Sequence, residues 1–384
     1  MSKIFAILLI FCLSFSAYAK DNASSISFKL KGQLSAYTHF NPSNQESLWL
    51  GGRYLPQLNS EIKLKNNQLF DIEASANVYG NLAINPFETF SEDGNLKPYR
   101  LWARYSNSQF EIRAGLQKIN FGSASMLRPL MWFDQIDPRD PLKLTDGVWG
   151  ILGRYYFLNN ANVWLWGLYG NKNPKGWEQF KTNNNYPEFG GRLQLPLALG
   201  ETAFSYHHRI ADMQNINISI PLNKEIVENR FGYDIRLDWL IGCWFEASWV
   251  NKQGDLGILK NQEVMNLGFD YTIGIGSGLY MAFEQLLMAY NERPFVFEDK
   301  TTVSFSLLSM SYPVGLFDNV SAIVYYDWKN NNAYNFVNYQ KQIKNISLFA
   351  MAYWNPESYA IPTQGGSTNL FGGKGIQLML VWNH

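Results

Sequence analysis

The chain has 384 residues, with 32 lysines and arginines, 32 aspartates and glutamates, and a formal net charge of +0 at pH 7. This balance offers no overall attraction to nucleic acid or to an anionic membrane surface, so no nucleic-acid partner is expected. Aromatic residues make up 16% of the chain, and beyond the N-terminal segment no apolar run reaches the length of a membrane-spanning helix. Two classes remain, a large soluble β protein and a β-barrel in a membrane.

Residues 1–19, MSKIFAILLIFCLSFSAYA, are predicted to be a cleaved secretory signal peptide. Lys3 provides the basic start, an apolar run follows, and Ala17-Tyr18-Ala19 resembles a cleavage site. The alternative, an uncleaved anchor, is less favoured because the apolar run is short for a spanning helix. Cleavage would leave Cys243 as the one cysteine of residues 20–384, which excludes a disulfide-stapled fold.

Residues 20–384 are predicted to form a single domain in which polarity alternates with a period of two. In ISFKLKGQLSAYTHF, for example, Ile26, Phe28 and Leu30 alternate with Lys29 and Lys31, and FDIEASANVYG and RFGYDIRLDWL repeat the pattern. Such alternation indicates strands with one apolar and one polar face. Strands of soluble sandwiches are usually about five or six residues, whereas these runs are near the length of a tilted membrane-crossing strand. The expected fold is all-β, a transmembrane antiparallel β-barrel whose apolar face contacts outer-membrane lipid.

The connections between strands alternate between short and long, which is the arrangement of outer-membrane barrels. The long connections are 41–48, 82–97, 121–147, 172–186, 211–226, 253–261 and 289–299. A direct count gives 17 strands, but a chain with both ends in the periplasm crosses an even number of times. A turn near Gln342 to Asn345 resolves this and gives 18 strands, with 16 as the alternative. A barrel of this width encloses water unless loops fill it.

The last strand is expected in GKGIQLMLVWNH, where Ile376, Leu378, Leu380 and Trp382 alternate. An aromatic-ended terminal strand of this kind is what the β-barrel assembly machinery would recognise, so that machinery is an expected partner. The terminal residue is His384 rather than the usual aromatic.

Residues 121–147 interrupt the alternation and are predicted to fold into the lumen as a constriction loop. The stretch WFDQIDPRDP places three aspartates at a spacing of three residues, with an arginine between the last two. Pro138 and Pro141 would interrupt a helix that could align the carboxylates, and the arginine would compete for them. A calcium site or a catalytic pair is therefore less favoured than a mechanical role, and neither a metal nor a cofactor is predicted. The charged residues expected in the constriction are Arg128, Asp134, Asp137, Arg139 and Asp140.

The polar parity of the strands predicts two charged walls inside the barrel. The basic residues expected to line the pore are Arg100, Arg104, Arg113, Arg154 and Arg192. The acidic residues expected opposite them are Glu246, Asp270 and Glu284. Opposed walls would create a transverse field that favours small polar solutes. The alternative is that these charges pair with their neighbours and keep the interior wet.

A catalytic site is not expected. Outer-membrane hydrolases need a histidine beside a nucleophile and a third orienting group. His207 and His208 lie near Ser205, but adjacent strand residues point to opposite faces.

The segment AGLQKINFG followed by MLRPLMWFDQIDPRDPLKLTDGVWG resembles porin-type outer-membrane barrels. It is also loosely similar to the alginate-export family, in which a strand ending in G-x-Q-x-I-x-x-G precedes an N/D-P-R-D element. The matching residues here are Gly115, Gln117, Ile119, Gly122 and then Asp137, Pro138, Arg139 and Asp140. The resemblance implies an 18-stranded barrel with a passive conduit and no catalytic residues. The mixed charge of this lumen differs from the basic lumen of alginate exporters.

The predicted function is passive diffusion of small hydrophilic solutes through a porin in the outer membrane of a Gram-negative bacterium. A polysaccharide exporter or glycan-tethering barrel is the alternative, and a barrel hydrolase is less favoured. The sequence leaves the oligomeric state open between a homotrimer and a monomer.

Overall fold

The computed structural model describes residues 26–44, 46–85, 91–213, 225–357 and 370–384. The predicted signal peptide lies outside these ranges. No helix within the described ranges has the length and apolar character needed to cross a bilayer.

The described residues form 18 long antiparallel strands, and their bounds follow the alternating runs of the sequence. The strands are β1 (Ile26–Phe40), β2 (Leu48–Lys63), β3 (Leu69–Ile84), β4 (Ser91–Ser106), β5 (Phe110–Gln117), β6 (Val148–Tyr156), β7 (Asn162–Leu168), β8 (Glu188–Leu197), β9 (Gly200–Asp212), β10 (Glu225–Asp238), β11 (Gly242–Lys252), β12 (Asn261–Ile273), β13 (Leu279–Asn291), β14 (Thr302–Pro313), β15 (Asp318–Asp327), β16 (Asn332–Ile343), β17 (Ile346–Trp354) and β18 (Lys374–Asn383).

Each strand pairs with its neighbours in sequence, and the sheet closes between its first and last strands. The closing pair runs in register from Gln33 opposite Asn383 to Phe40 opposite Ile376. Closure matters because an open edge in lipid would leave unpaired backbone N–H and C=O groups that have no water to bond. A two-residue strand, Lys181–Thr182, extends the sheet beside β9, and a single 3₁₀ turn spans Gly257–Leu259.

The expected tight turn between β16 and β17 is confirmed. Ile343 pairs directly with Ile346, and Lys344 takes a positive φ of 52° between them. A two-residue hairpin turn with a positive φ at its first central residue is of the type II′ class, whose twist matches that of the flanking strands. The strand count of 18 follows from this turn, and the alternative of 16 is wrong.

The last strand shows how the two faces of the wall differ. Leu378 and Leu380 point outward and are 51% and 42% exposed, whereas Val381 between Leu380 and Trp382 is 2% exposed. His384 completes the strand, since its backbone pairs with Gly32 and its ring stacks on Tyr54 at 5.9 Å. The imidazole thus occupies a position where an aromatic ring would pack.

The apolar core lies inside the barrel, because loop residues pack on the inner wall. One cluster joins Leu127 of the loop to Leu286, Phe305 and Tyr334 of the wall. A second cluster joins Phe121 and other loop residues to the inner faces of β6 and β7. The loop thus fills much of a lumen that wall side chains alone could not fill.

Candidate functional site: the constricted lumen

The segment between β5 and β6 folds into the lumen and is anchored by two wall carboxylates. Glu284 of β13 accepts hydrogen bonds from the backbone N–H groups of Ser125 at 2.9 Å, Met126 at 3.0 Å and Leu127 at 2.6 Å. Charged acceptors form stronger bonds than neutral ones. The irregular backbone of the loop would otherwise carry unpaired donors, so this carboxylate fixes the path of the loop.

Glu246 of β11 is the second anchor. Its two oxygens accept the N–H of Ala124 at 2.8 Å and that of Leu130 at 2.6 Å. Both Glu246 and Glu284 are 0% exposed. They were expected to line the pore as part of an acidic wall, and the structure corrects this, because the loop covers both carboxylates.

Arg128 and Asp134 brace the loop internally. Their side chains pair at 3.0 Å, and Arg128 also donates to Asn120 Oδ1 at 2.8 Å and to the carbonyl of Phe121 at 3.1 Å. Both charged residues are nearly fully buried. They shape the constriction without facing the solute path.

Aromatic side chains of the loop pack against the inner wall near His207. The ring of Phe133 meets that of His207 edge-on at 4.9 Å, and Trp132 donates to Ser248 Oγ at 2.9 Å. Nδ1 of His207 accepts from Trp166 at 3.1 Å, and its Nε2 lies 3.3 Å from Glu188. These contacts occupy both ring nitrogens of a histidine that is 0% exposed.

The neighbouring residues do not complete a hydrolase site with His207. His208 is on the opposite face of β9 and bonds to Asn229 at 2.9 Å. Ser205 accepts a hydrogen bond from Arg192 at 3.1 Å. His207 and His208 point to opposite faces, as expected of adjacent strand residues, whereas Ser205 shares the inner face with His207 and is held by Arg192 instead.

The three aspartates of WFDQIDPRDP have different partners. Asp134 pairs with Arg128, and Asp137 accepts from Arg139 at 2.8 and 2.6 Å. Asp140 accepts the backbone N–H of Leu142 at 3.0 Å and that of Leu144 at 3.3 Å. Within the described part of the chain, no three histidine, cysteine, aspartate or glutamate side chains converge as a metal site would need.

The far end of the loop reaches β16 and the segment just before β18, and the chain then returns. The guanidinium of Arg139 lies 5.0 Å from the ring centroid of Phe371. On the return path, Asp146 pairs with Lys97 at 2.7 Å, and Arg100 donates to the carbonyl of Thr145 at 2.8 Å. Arg100 is 6% exposed, so it anchors the loop rather than lining the pore as expected.

The remaining basic wall is compensated by carboxylates of its own neighbourhood. Glu111 lies 3.4 Å from Arg104, 3.0 Å from Arg113 and 3.8 Å from Arg154. Arg104 also forms a two-pronged pair with Asp71, with both N–O distances at 2.9 Å. These three arginines stay partly exposed to the lumen. Their carboxylate partners lie on the polar parity of β3 and β5, a signal that would have found them.

The other predicted wall residues also form local pairs. Arg192 binds Asp234 through bonds of 2.6 and 2.9 Å, and both are nearly fully buried. Asp270 lies 3.1 Å from Arg236 and is partly exposed. The expected field between two opposed walls is therefore replaced along most of the lumen by ion pairs between neighbours.

A cavity of about 160 Å³ remains between the far part of the loop and the wall formed by β18 and β1 to β3. On the loop side Asp137, Arg139 and Asp140 line it. Tyr37 and Arg53 line it on the wall side. We refer to this space as the eyelet.

Sequence reasoning missed the contribution of Arg53 to the eyelet. Gly51, Gly52 and Pro56 obscure the alternation of β2, although Arg53 pairs in register with Ser35 and Tyr79. Burial raises the pKa of the Asp140 carboxyl across the eyelet, and its bonds to backbone N–H groups and the charge of Arg53 oppose that rise.

A closed 18-stranded antiparallel barrel with a long loop folded into its lumen defines a porin-type fold. Pseudomonas aeruginosa OccK5 (OpdH) is similar, with a TM-score of 0.58 at 12% identity over 93% of this chain and 97% of OccK5. Acinetobacter baumannii OccAB1 has a TM-score of 0.57 at 9% identity over 94% of this chain and 96% of its own. Salmonella typhi OmpF in complex with daunomycin has a TM-score of 0.51 at 7% identity, covering 93% and 97%.

These identities establish a shared fold. No protein-family model matches the chain, and no curated protein matches it in sequence. The loose similarity to the alginate-export family stays a prediction.

The anchor at Glu284 can be tested by Glu284→Ala. We expect the free energy of unfolding to fall by about 3 kcal/mol, because the loop donors lose a charged acceptor and stay buried. Unfolding in urea with the protein in lipid vesicles measures this. Glu61→Ala is the control, since that lumen glutamate is partly exposed and its ion pair in the described part of the chain is with Lys63 at 4.0 Å. Equal losses of unfolding free energy in the two variants would contradict the anchoring role of Glu284.

Arg113 and Arg192 should respond differently to replacement by alanine. Arg113→Ala should shift ion selectivity toward cations with little loss of stability, because Glu111 keeps two other arginines. Arg192→Ala should leave Asp234 buried without its partner and cost about 3 kcal/mol or more. Reversal potentials and urea unfolding measure the two effects. If both variants shifted the reversal potential and neither lost stability in urea, Arg192 would line the pore and the assignment would be wrong.

Proposed function

We propose that this protein is a diffusion channel for small hydrophilic solutes in the outer membrane of a Gram-negative bacterium. The observation that carries the proposal is a closed barrel with an apolar outer face, in which a buried loop packs on the inner wall and leaves the eyelet between loop and wall. Solutes would cross down their own concentration gradient. The partly exposed lumen charges of Arg104, Arg113, Arg154 and Asp270 would keep the path wet and set its preference among ions.

The alternatives have less support. A polysaccharide exporter needs a lumen open to a chain of sugar rings, whereas the loop between β5 and β6 fills much of this lumen. A barrel hydrolase would need a histidine that reaches substrate, and His207 is covered on all sides.

Planar-bilayer recording tests the channel directly. The purified protein should give stable single-channel steps, and removing residues 123–146 should raise the conductance because the constriction is lost. Glu284→Ala provides a second route to a loosened loop if the deletion variant fails to fold. A wild-type protein that folds and inserts but conducts no ions would overturn the proposal.

We also propose that the channel assembles as a homotrimer through the outer wall of β1 to β4. Gly52 pairs in register with Ala36 and Gly80, and Gly80 pairs with Gly94. These small residues line a depression in the outer surface, into which side chains of a second copy could pack closely.

Gly80→Phe would fill this depression and should convert a trimer into monomers without blocking conductance. Chemical crosslinking in native membranes measures the assembly, and Gly153→Phe on the outer wall of β6 serves as the control. A wild-type protein that crosslinks only as a monomer would exclude this assembly.

A further inference from the structure

The guanidinium of Arg53 has no hydrogen-bond or ion-pair partner among the described residues. Its Nε is buried without a hydrogen bond, and no carboxylate of the described chain lies within 4.0 Å of it. Its central carbon lies 5.7 Å from the ring centroid of Tyr79, which holds the group at the side of the eyelet. A guanidinium offers five N–H donors, so an unpaired one lining a cavity is a candidate ligand contact.

The other wall arginines of the lumen differ from Arg53. Arg104, Arg113 and Arg154 share Glu111, and Arg192 is paired with Asp234. A carboxylate also lies within 4.0 Å of each of the described wall arginines Arg209, Arg230 and Arg236. Arg100 donates to the backbone carbonyls of Tyr99 and Thr145. Arg113, Arg154 and Arg192 also have an unbonded Nε, but each has a carboxylate partner. Arg53 differs from these wall arginines because no described carboxylate or carbonyl accepts from its guanidinium.

The loop side of the eyelet presents the opposite charge. Asp137 is neutralised by Arg139, which it meets through both oxygens. Among the described residues, Asp140 has no such cation partner and accepts only the backbone N–H groups of Leu142 and Leu144. Each carboxylate oxygen has a second lone pair, so Asp140 retains acceptor capacity. The charges of Arg53 and Asp140 interact across the eyelet without making an ion pair.

Neutral polar groups complete the lining. Tyr37 donates to Asn81 Oδ1 at 2.9 Å, and Gln377 lies 3.3 Å from Nδ1 of His39. The volume of about 160 Å³ corresponds to about five water molecules. A solute that satisfies the eyelet is therefore small and carries an anionic and a cationic group at its two sides.

We propose that the eyelet binds small zwitterions of the α-amino acid class, with the carboxylate on Arg53 and the ammonium on Asp140. This inference rests on the proposed channel function and names its preferred solute. The two charges of the solute replace the water that Arg53 and Asp140 would otherwise hold. A simple anion satisfies Arg53 alone, and a simple cation satisfies Asp140 alone.

The experiment compares glycine with its two halves, acetate and methylammonium, as blockers of single-channel current. In the wild type, glycine should reach half-block at a concentration at least about tenfold below either half, since it makes both charged contacts. Arg53→Gln and Asp140→Asn should each raise that concentration about tenfold. Asn at position 140 keeps an oxygen for the N–H of Leu142, so the loop should hold its path.

Arg154→Gln is the matched control, because it removes an equal lumen charge outside the eyelet. It should shift the reversal potential but leave the half-blocking concentration of glycine in place. Channels that treat glycine no better than acetate would overturn the zwitterion site while leaving the channel function intact. Loss of glycine block in Arg53→Gln with no effect of Asp140→Asn would identify a simple anion site instead. Absence of channels in the wild type would contradict the proposed function itself.

Discussion

The loop inside this barrel depends on two buried carboxylates. Glu246 and Glu284 together accept five backbone N–H groups of residues 124–130. A buried charge is costly unless it is bonded, and an irregular loop is costly unless its donors are bonded. The loop N–H groups satisfy the buried carboxylates, and the carboxylates satisfy the loop N–H groups. The wall and the loop therefore stabilise one another. The aromatic packing around Trp132, the bridge between Arg128 and Asp134, and the eyelet all follow from the path that this anchor sets.

The electrostatics of the lumen follow from strand registry more than from opposed walls. Pairing of neighbouring strands places Asp71 directly opposite Arg104 and Glu111 opposite Arg154. Neighbours a few ångströms apart interact far more strongly than groups across a water-filled lumen, because the intervening solvent screens the distant pair. An uncompensated charge therefore survives only where no neighbour of opposite sign is in register. Arg53 is such a case, opposite Ser35 and Tyr79.

Much of the fold could be predicted from local pattern, and less of the site. The alternation located the strands, and a hairpin at Lys344 resolved the parity of the count. The inward loop was also predicted, because prolines and charges break the strand pattern there. The contacts that this loop makes with the wall were not predicted. Glu246 and Asp270 have the same parity signal, yet one is covered by the loop and the other faces the lumen. Arg53 was missed because glycines and a proline interrupt the alternation of its strand.

The sequence by itself determined that this protein is a β-barrel with an apolar outer face, a polar inner face and one long interrupted segment. These properties depend on which side of a strand a residue occupies, and the period of two encodes that side directly. Only the tertiary structure decided which inner residues face solvent. That choice depends on where residues 121–147 lie, and their path is set by bonds to strands more than a hundred positions away in the chain, which no local pattern specifies.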